Sequence, residues 1–252
     1  MSYLTLSLTL IFVLIPIILS KTLNLGLEKD TIIATVRSII QLLAVGYILQ
    51  YVFDAEHFIY LSLMILLMIA AATQNARRKG ASIRGITWKL IVTFIFVEVL
   101  TQGILLGLGI IPPTPQFIIP ISGMVIGNSM VLGILFLNRF TAEVEDHQDE
   151  TELILTLGGT PKQAIHRQLI NSIKASTIPT IESQKTIGLV QLPGMMSGQI
   201  IAGADPVQAV QFQLLILFIL LTTAVVTSIM LGFLSYPTLF NERMQFLKFE
   251  SK

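Results

Sequence analysis

The sequence predicts an all-α, polytopic integral membrane protein of seven transmembrane helices, with the N-terminus outside and the C-terminus cytoplasmic. Three observations predict it. Of 252 residues, 53% are hydrophobic and 12% charged, against about 25% charged in a soluble domain; too few polar side chains exist to cover a water-facing globule. The apolar residues gather in stretches close to the roughly 20 that a helix needs to cross about 30 Å of hydrocarbon. Lys and Arg are confined to alternate loops. The same composition excludes other classes. A formal net charge of +1 gives no global attraction to nucleic acid. The absence of cysteine removes disulfides, thiolate metal sites and cysteine nucleophiles. One transmembrane domain over 1–252 is expected.

The seven predicted spans are 3–20, 31–53, 57–73, 88–109, 116–138, 186–202 and 210–236. Backbone in lipid must satisfy its own hydrogen bonds, and most of these stretches are too long for barrel strands. The first has no basic residue before it and no small-x-small site after it, so it reads as a retained helix rather than a cleaved signal peptide. Lys21 and Lys29 follow span one; Arg77, Arg78, Lys79 and Arg84 follow span three. Arg139, Lys162, Arg167, Lys174 and Lys185 follow span five, and Arg243, Lys248 and Lys252 follow span seven. Arg37 and Lys89 lie near the same side, and loops 54–56, 110–115 and 203–209 hold no Lys or Arg. Positive charge marks the cytoplasm.

Span six is the polar one, with Gln191, Pro193, Gly194, Ser197, Gly198 and Gln199. Such a helix survives in lipid only among other helices, which predicts a central place in the bundle. Pro193-Gly194 should break or kink it, and broken helices free carbonyls at transport sites. Met195 and Met196 follow the break; Met124 and Met130 flank Asn128 and Ser129 in span five. Small residues beside amides and hydroxyls serve equally as packing glue. Thioethers are soft ligands, better suited to copper(I) than to iron, and Met is also a common gap filler.

Glu98 lies nine residues past Lys89, about 13 Å along a helix, near the bilayer midplane. A carboxylate there faces a partner or a water-filled path, and Gln102 stands one turn later on the same face. Two readings stay open: a cation- or proton-accepting group in the translocation path, or a structural hydrogen bond to Asn128 or Gln191. Arg37 and Gln41 form a similar pair in span two, where Arg37 can snorkel to the cytoplasmic surface or pair with Glu98. Trp88 and Tyr236 suit interfacial anchoring.

Residues 139–185 form the one long hydrophilic stretch, predicted to be cytoplasmic. An acidic run (Glu143, Glu145, Asp146, Asp149, Glu150, Glu152) leads into an amphipathic pattern carrying Leu153, Leu157, Ile165, Leu169 and Ile173. Between them, Gly158-Gly159 should stop one helix, and Thr160 should cap the next with Pro161 at its first position. A plain helical hairpin on the membrane surface would look the same. The string Glu152-x5-Gly158-Gly159-Thr160-Pro161 resembles the cytoplasmic coupling loop of ABC-transporter permeases. The longer strings 123–130 and 188–200, followed by Ala202-Gly203-Ala204-Asp205-Pro206, resemble the FetB family of ABC permeases over nearly the whole chain.

That resemblance implies a membrane subunit working with a separate ABC ATPase, as two copies of each, with ATP held by the partner and no cofactor on this chain. It implies ATPase coupling through Glu152, Gly158, Gly159, Thr160, Pro161, Ile165 and Leu169, and a plasma- or inner-membrane location. Bacterial members are assigned to iron export, and plant relatives to aluminium tolerance and nucleotide-sugar transport. The expected translocation path comprises Glu98, Gln102, Met124, Asn128, Ser129, Met130, Gln191, Pro193, Gly194, Met195, Met196 and Gln199. The chain lacks a G-x-x-x-x-G-K-[ST] loop, a nucleophile elbow and an H-E-x-x-H motif, so no enzymatic activity of its own is expected. An ion-gradient-driven transporter using Glu98 and a non-transporting scaffold are the rival classes.

Overall fold

Helix is the regular structure among the described residues, with isolated bridges only at Ile187–Gln191 and Phe240–Phe246. The computed structural model describes residues 9–55, 58–78, 80 and 83–247. The expected start of span one at Tyr3, together with His57, Lys79, Lys248 and Lys252, lies outside them. The contacts group the chain into two compact units, 1–58 and 59–252.

The first unit is a helical hairpin of α1 (Ile11–Thr22) and α2 (Glu28–Ala55). Ser20 closes its turn by accepting from the Leu27 N–H at 3.0 Å and donating to Glu28 Oε1 at 2.9 Å. The expected span 31–53 lies inside α2, and Arg37 and Gln41 are exposed on it.

The second unit holds α3 (Phe58–Ala76), α4 (Ile86–Gly107), α5 (Pro115–Asp146), α6 (Gln148–Thr156), α7 (Pro161–Ala164), α8 (His166–Thr186), α9 (Gly194–Ile201) and α10 (Pro206–Ser235). A 3₁₀ turn, Tyr236–Leu239, follows α10. The helix starts obey local chemistry. Pro115 and Pro206 occupy first-turn positions, where the missing N–H costs nothing. Asp205 caps α10, accepting from the Val207 and Gln208 N–H groups at 2.9 and 3.0 Å. Among the described residues, five helices, α2 to α5 and α10, are long and apolar enough to cross a membrane, and α1 is a shorter apolar helix.

Cross-contacts fix the chain directions. Phe117 meets Phe212 at 5.9 Å, and Asn128 reaches Leu220 and Thr223, so α5 and α10 run parallel. Met68 lies against Gly123, and Asn75 bonds Met130, so α3 is parallel to α5 as well. Ser122 bonds Glu98, and Gly133 sits by Leu90 and Phe94, so α4 is antiparallel. The core packs Leu90, Phe94, Phe136, Leu137, Phe140 and Leu231.

The break expected at Pro193-Gly194 is present, so no continuous helix spans 186–202, but the helices of this unit do not surround the segment as expected. After α8, Gly188 adopts φ +88°, Pro193 is extended, and only the eight residues of α9 are helical, none of them buried. Glycine favours the left-handed turn and proline supplies no backbone donor, so helix cannot propagate through. α8 belongs to the stretch 139–185, read from sequence as water-facing. It packs antiparallel along the apolar α10: Leu169 lies at Gly232, Ser176 Oγ is 2.9 Å from Ser228 Oγ, and Gln184 Nε2 donates to Leu217 O at 2.8 Å. α8, the break and α9 together therefore run alongside α10.

Candidate functional site

The turn between α6 and α7 is built as its sequence demands. Gly158 takes φ +86° and donates to Leu155 O, while Gly159 N–H donates to Ile154 O at 2.9 Å. A Cβ on Gly159 would stand 2.5 Å from Ile154 Cγ2 and 2.8 Å from its carbonyl oxygen, so no side chain fits. Thr160 then caps α7 in a reciprocal box. Gln163 N–H donates to Thr160 Oγ1, Gln163 Oε1 accepts from Thr160 N–H at 2.9 Å, and Pro161 opens the helix. The sequence leads to Thr160 and Pro161; Gln163, three residues on, completes the box and is the residue that the reading missed.

The coupling residues divide into two sets. Leu157 (79% exposed), Gly158 and Thr160 project outward. Ile165 and Leu169, expected to face a partner, are buried in the bundle core. The cause is a bend: α7 is one turn long, and Ile165 breaks it before α8 begins, which swings the apolar stripe onto α5 and α10. Glu152 lines a groove beside the turn, opposite Arg243 and Phe246 of the C-terminal hairpin. Glu143, from the acidic run, is buried at the foot of α5; it pairs with Arg139 at 2.7 Å and accepts from Asn171 of α8.

Deeper in the bundle lies a layer of polar side chains. Ser122 Oγ donates to Glu98 Oε1 at 2.5 Å and accepts from Gln102 Nε2 at 2.9 Å. Glu98 is 5% exposed, and its Oε2 and Gln102 Oε1 are buried without a donor. The partner of Glu98 is thus Ser122, not Asn128 or Gln191. Asn128 instead donates to Thr223 Oγ1 at 3.1 Å and to Leu220 O. Ser122 was discoverable, being the only hydroxyl between Thr114 and Ser129. Ser129 is fully buried, Met124 is half-buried, and Met130 Sδ accepts from Asn75. No group of three or more His, Cys, Asp or Glu among the described residues is placed to hold a metal ion.

The third cluster follows the break. Gly188 N–H donates to Gln191 O at 3.0 Å; Gln191 and Gly194 are exposed, and Pro193, Met195, Met196 and Gln199 are half-exposed. The structure keeps this cluster on the outside of the second unit, while Glu98, Gln102 and Asn128 lie in its interior seams.

A family model described as an uncharacterised protein family, UPF0014, matches residues 3–240. The chain belongs to UPF0014. Among its relatives, the UPF0014 membrane protein YjkA of Bacillus subtilis is 56% identical over 97% of this chain and 98% of its own. The "Probable iron export permease protein FetB" of Escherichia coli is 40% identical over 96% of this chain and 93% of its own. The protein ALUMINUM SENSITIVE 3 of Arabidopsis thaliana is 32% identical over 94% and 86%. No solved structure matches. With its apolar helices and its membrane-protein relatives, this UPF0014 chain is a multi-pass membrane protein.

Proposed function

We propose that this UPF0014 protein is the permease subunit of an ABC exporter, with iron as cargo and a separate ATPase as its engine. The observation that carries the reading is the α6–α7 turn. It is a rigid, outward knob, locked by the Gly159–Ile154 contact and the Thr160–Gln163 box, and continuous with a helix that lies along α10. A knob of that kind transmits force from a partner better than a flexible loop. The name of the Escherichia coli relative supports iron, and the chain itself has no phosphate loop. ATP hydrolysis belongs to the partner in this reading, and this chain catalyses nothing.

Closure of the ATPases pushes the turn, and the push reaches α8 through Ile165 and Leu169. The path runs past the break, where Gln191, Met195, Met196 and Gln199 supply oxygen and thioether donors for an ion held weakly in transit. Glu98 and Gln102 tie α4 to α5 and set the shape of the bundle behind that path.

Radioactive iron retained by cells lacking this protein and its candidate ATPase tests the reading. Restoring the wild-type pair should lower retention; restoring a pair whose ATPase cannot hydrolyse ATP should not. Equal export by both pairs would point to an ion-gradient mechanism. Unchanged retention, with both proteins folded and associated, would overturn iron and move the search to nucleotide sugars.

A further inference from the structure

The seam between α4 and α5 is one hydrogen short. Ser122 Oγ carries a single hydrogen and gives it to Glu98 Oε1 at 2.5 Å, so Gln102 must turn its nitrogen toward that hydroxyl, at 2.9 Å. Gln102 Oε1 and Glu98 Oε2 are then both buried with no donor. Turning the amide over does not remove the shortage. Ser122 would donate to the amide oxygen, and the 2.5 Å contact would lack a hydrogen instead. The charge count points the same way. α5 and α10 are packed on α4, and neither 115–138 nor 206–235 includes an Asp, Glu, His, Lys or Arg. On α4 itself the one cation is Lys89, about 13 Å along the helix from Glu98, with its Nζ donating to Thr238 Oγ1 at 2.7 Å. A bare carboxylate at 5% exposure is costly without a paired cation. A water molecule would supply hydrogens to both oxygens yet leave that charge in place.

We infer that the seam binds a proton: Glu98 stands as the neutral acid, and its Oε2–H donates to Gln102 Oε1. Positions 98 and 102 share a helical face one turn apart, and both side chains already meet at the Ser122 hydroxyl. The three then close a ring, Glu98 to Gln102, Gln102 to Ser122 and Ser122 back to Glu98, in which each gives one hydrogen and accepts one. A single proton answers both shortages, the missing hydrogen and the missing positive charge. A hard metal ion takes about six oxygens, and this seam offers two that are free. Every member belongs to the second unit, so the site needs no contact with residues 1–58. The inference goes beyond the permease reading and does not rest on it: a neutral ring holds α4 to α5 and presents no charge to a passing ion.

Infrared spectra of the full chain in detergent at neutral pH test the bound proton. Exposed carboxyls are ionised there, so a carboxylic-acid carbonyl band, above the amide band, marks a buried neutral acid. The wild type should show such a band and Glu98→Gln should lose it, with the two melting temperatures alike, because the amide donates where the acid did. No difference in that region, or a Glu98→Gln protein that melts well below wild type, would overturn the proton. Gln102→Leu, or Gln102→Asn if that variant fails to fold, takes the acceptor out of reach; the band should persist and move to higher wavenumber. An unmoved band would overturn the ring. A wild-type melting temperature that climbs with added sodium or calcium, when that of Glu98→Gln does not, would replace the proton with a metal ion. Export plays no part in these readings, so the permease proposal stands or falls separately.

Discussion

The molecule holds carboxyl groups in two ways, and α4 and α8 show the contrast. Glu98 of α4 is enclosed by its own unit, where Ser122 holds one of its oxygens and Gln102 completes the chain of bonds. Glu182 of α8 faces outward, with a lysine one turn along the same helix as its partner. A buried polar group satisfied from within ties helices together. A charged group on an outer face pairs along its own helix instead, and such an exposed pair adds little to the fold. The difference separates a carboxyl group that ties two helices together from one held on an outer face by its own helix.

The comparison can be broken most sharply at the turn that drives α8. Gly159→Arg forces a side chain into the 2.5 Å gap at Ile154; export should fall to the level of cells lacking the protein while membrane insertion persists. Iron retention and membrane fractionation check both. A mutant that exports normally would remove the turn from the mechanism. Next in size is Glu98→Ala, which strips Ser122 of its buried acceptor at a cost of about 1–3 kcal/mol. Its melting temperature in detergent should drop, while Glu98→Gln, which keeps an acceptor, should stay near wild type in melting and in export. Loss of export in a normally melting Glu98→Gln would return the carboxylate charge to the path. Lys185→Gln sharpens the other side: export should fall with little change in melting temperature, since an exposed pair contributes about 0–1 kcal/mol to the isolated fold. The smallest effect belongs to Thr160→Ala, which removes one cap of about 1 kcal/mol and should slow export only partly, with Thr160→Ser close to wild type.

Hydropathy made α10 readable and left α8 obscure. The stretches 31–53, 88–109, 116–138 and 210–236 fall on α2, α4, α5 and α10 to within a few residues at most ends, because a lipid-facing helix must be apolar on most of its circumference. The main exception is the end of α5, which runs on to Asp146 with Glu143 buried by Arg139 and Asn171. α8 fails the apolar test on both sides. Its outer face bears Lys174, Glu182 and Lys185, and its inner face uses Ser172, Ser176 and Thr177, hydroxyls that bond their own helix or Ser228. The spacing Ser172-x-x-x-Ser176 is the signal a sequence reader has for a close helix contact, and it lies in the stretch the acidic run marks as water-facing. The turn was legible almost to the atom because glycine, threonine and proline each have a narrow conformational use. Ser122 was not singled out because a single hydroxyl in an apolar helix most often bonds its own backbone.

Residues 166–186 form one helix, about 30 Å long at 1.5 Å per residue, with the capped turn at its foot and Gly188 just past its far end. No loop lies between Ile165 and Thr186 to absorb displacement. A helix is stiff along its axis, so under the proposed function α8 serves as a pushrod: a small shift at Thr160 reaches Thr186 almost undiminished. There Gly188, at φ +88° and bonded to Gln191 O, turns the chain off the helix axis toward Gln191 and the methionines behind it. Pro179 is the one give in the rod, since it removes a single rung of the hydrogen-bond ladder, and it sets the point at which the stroke can bend rather than slide.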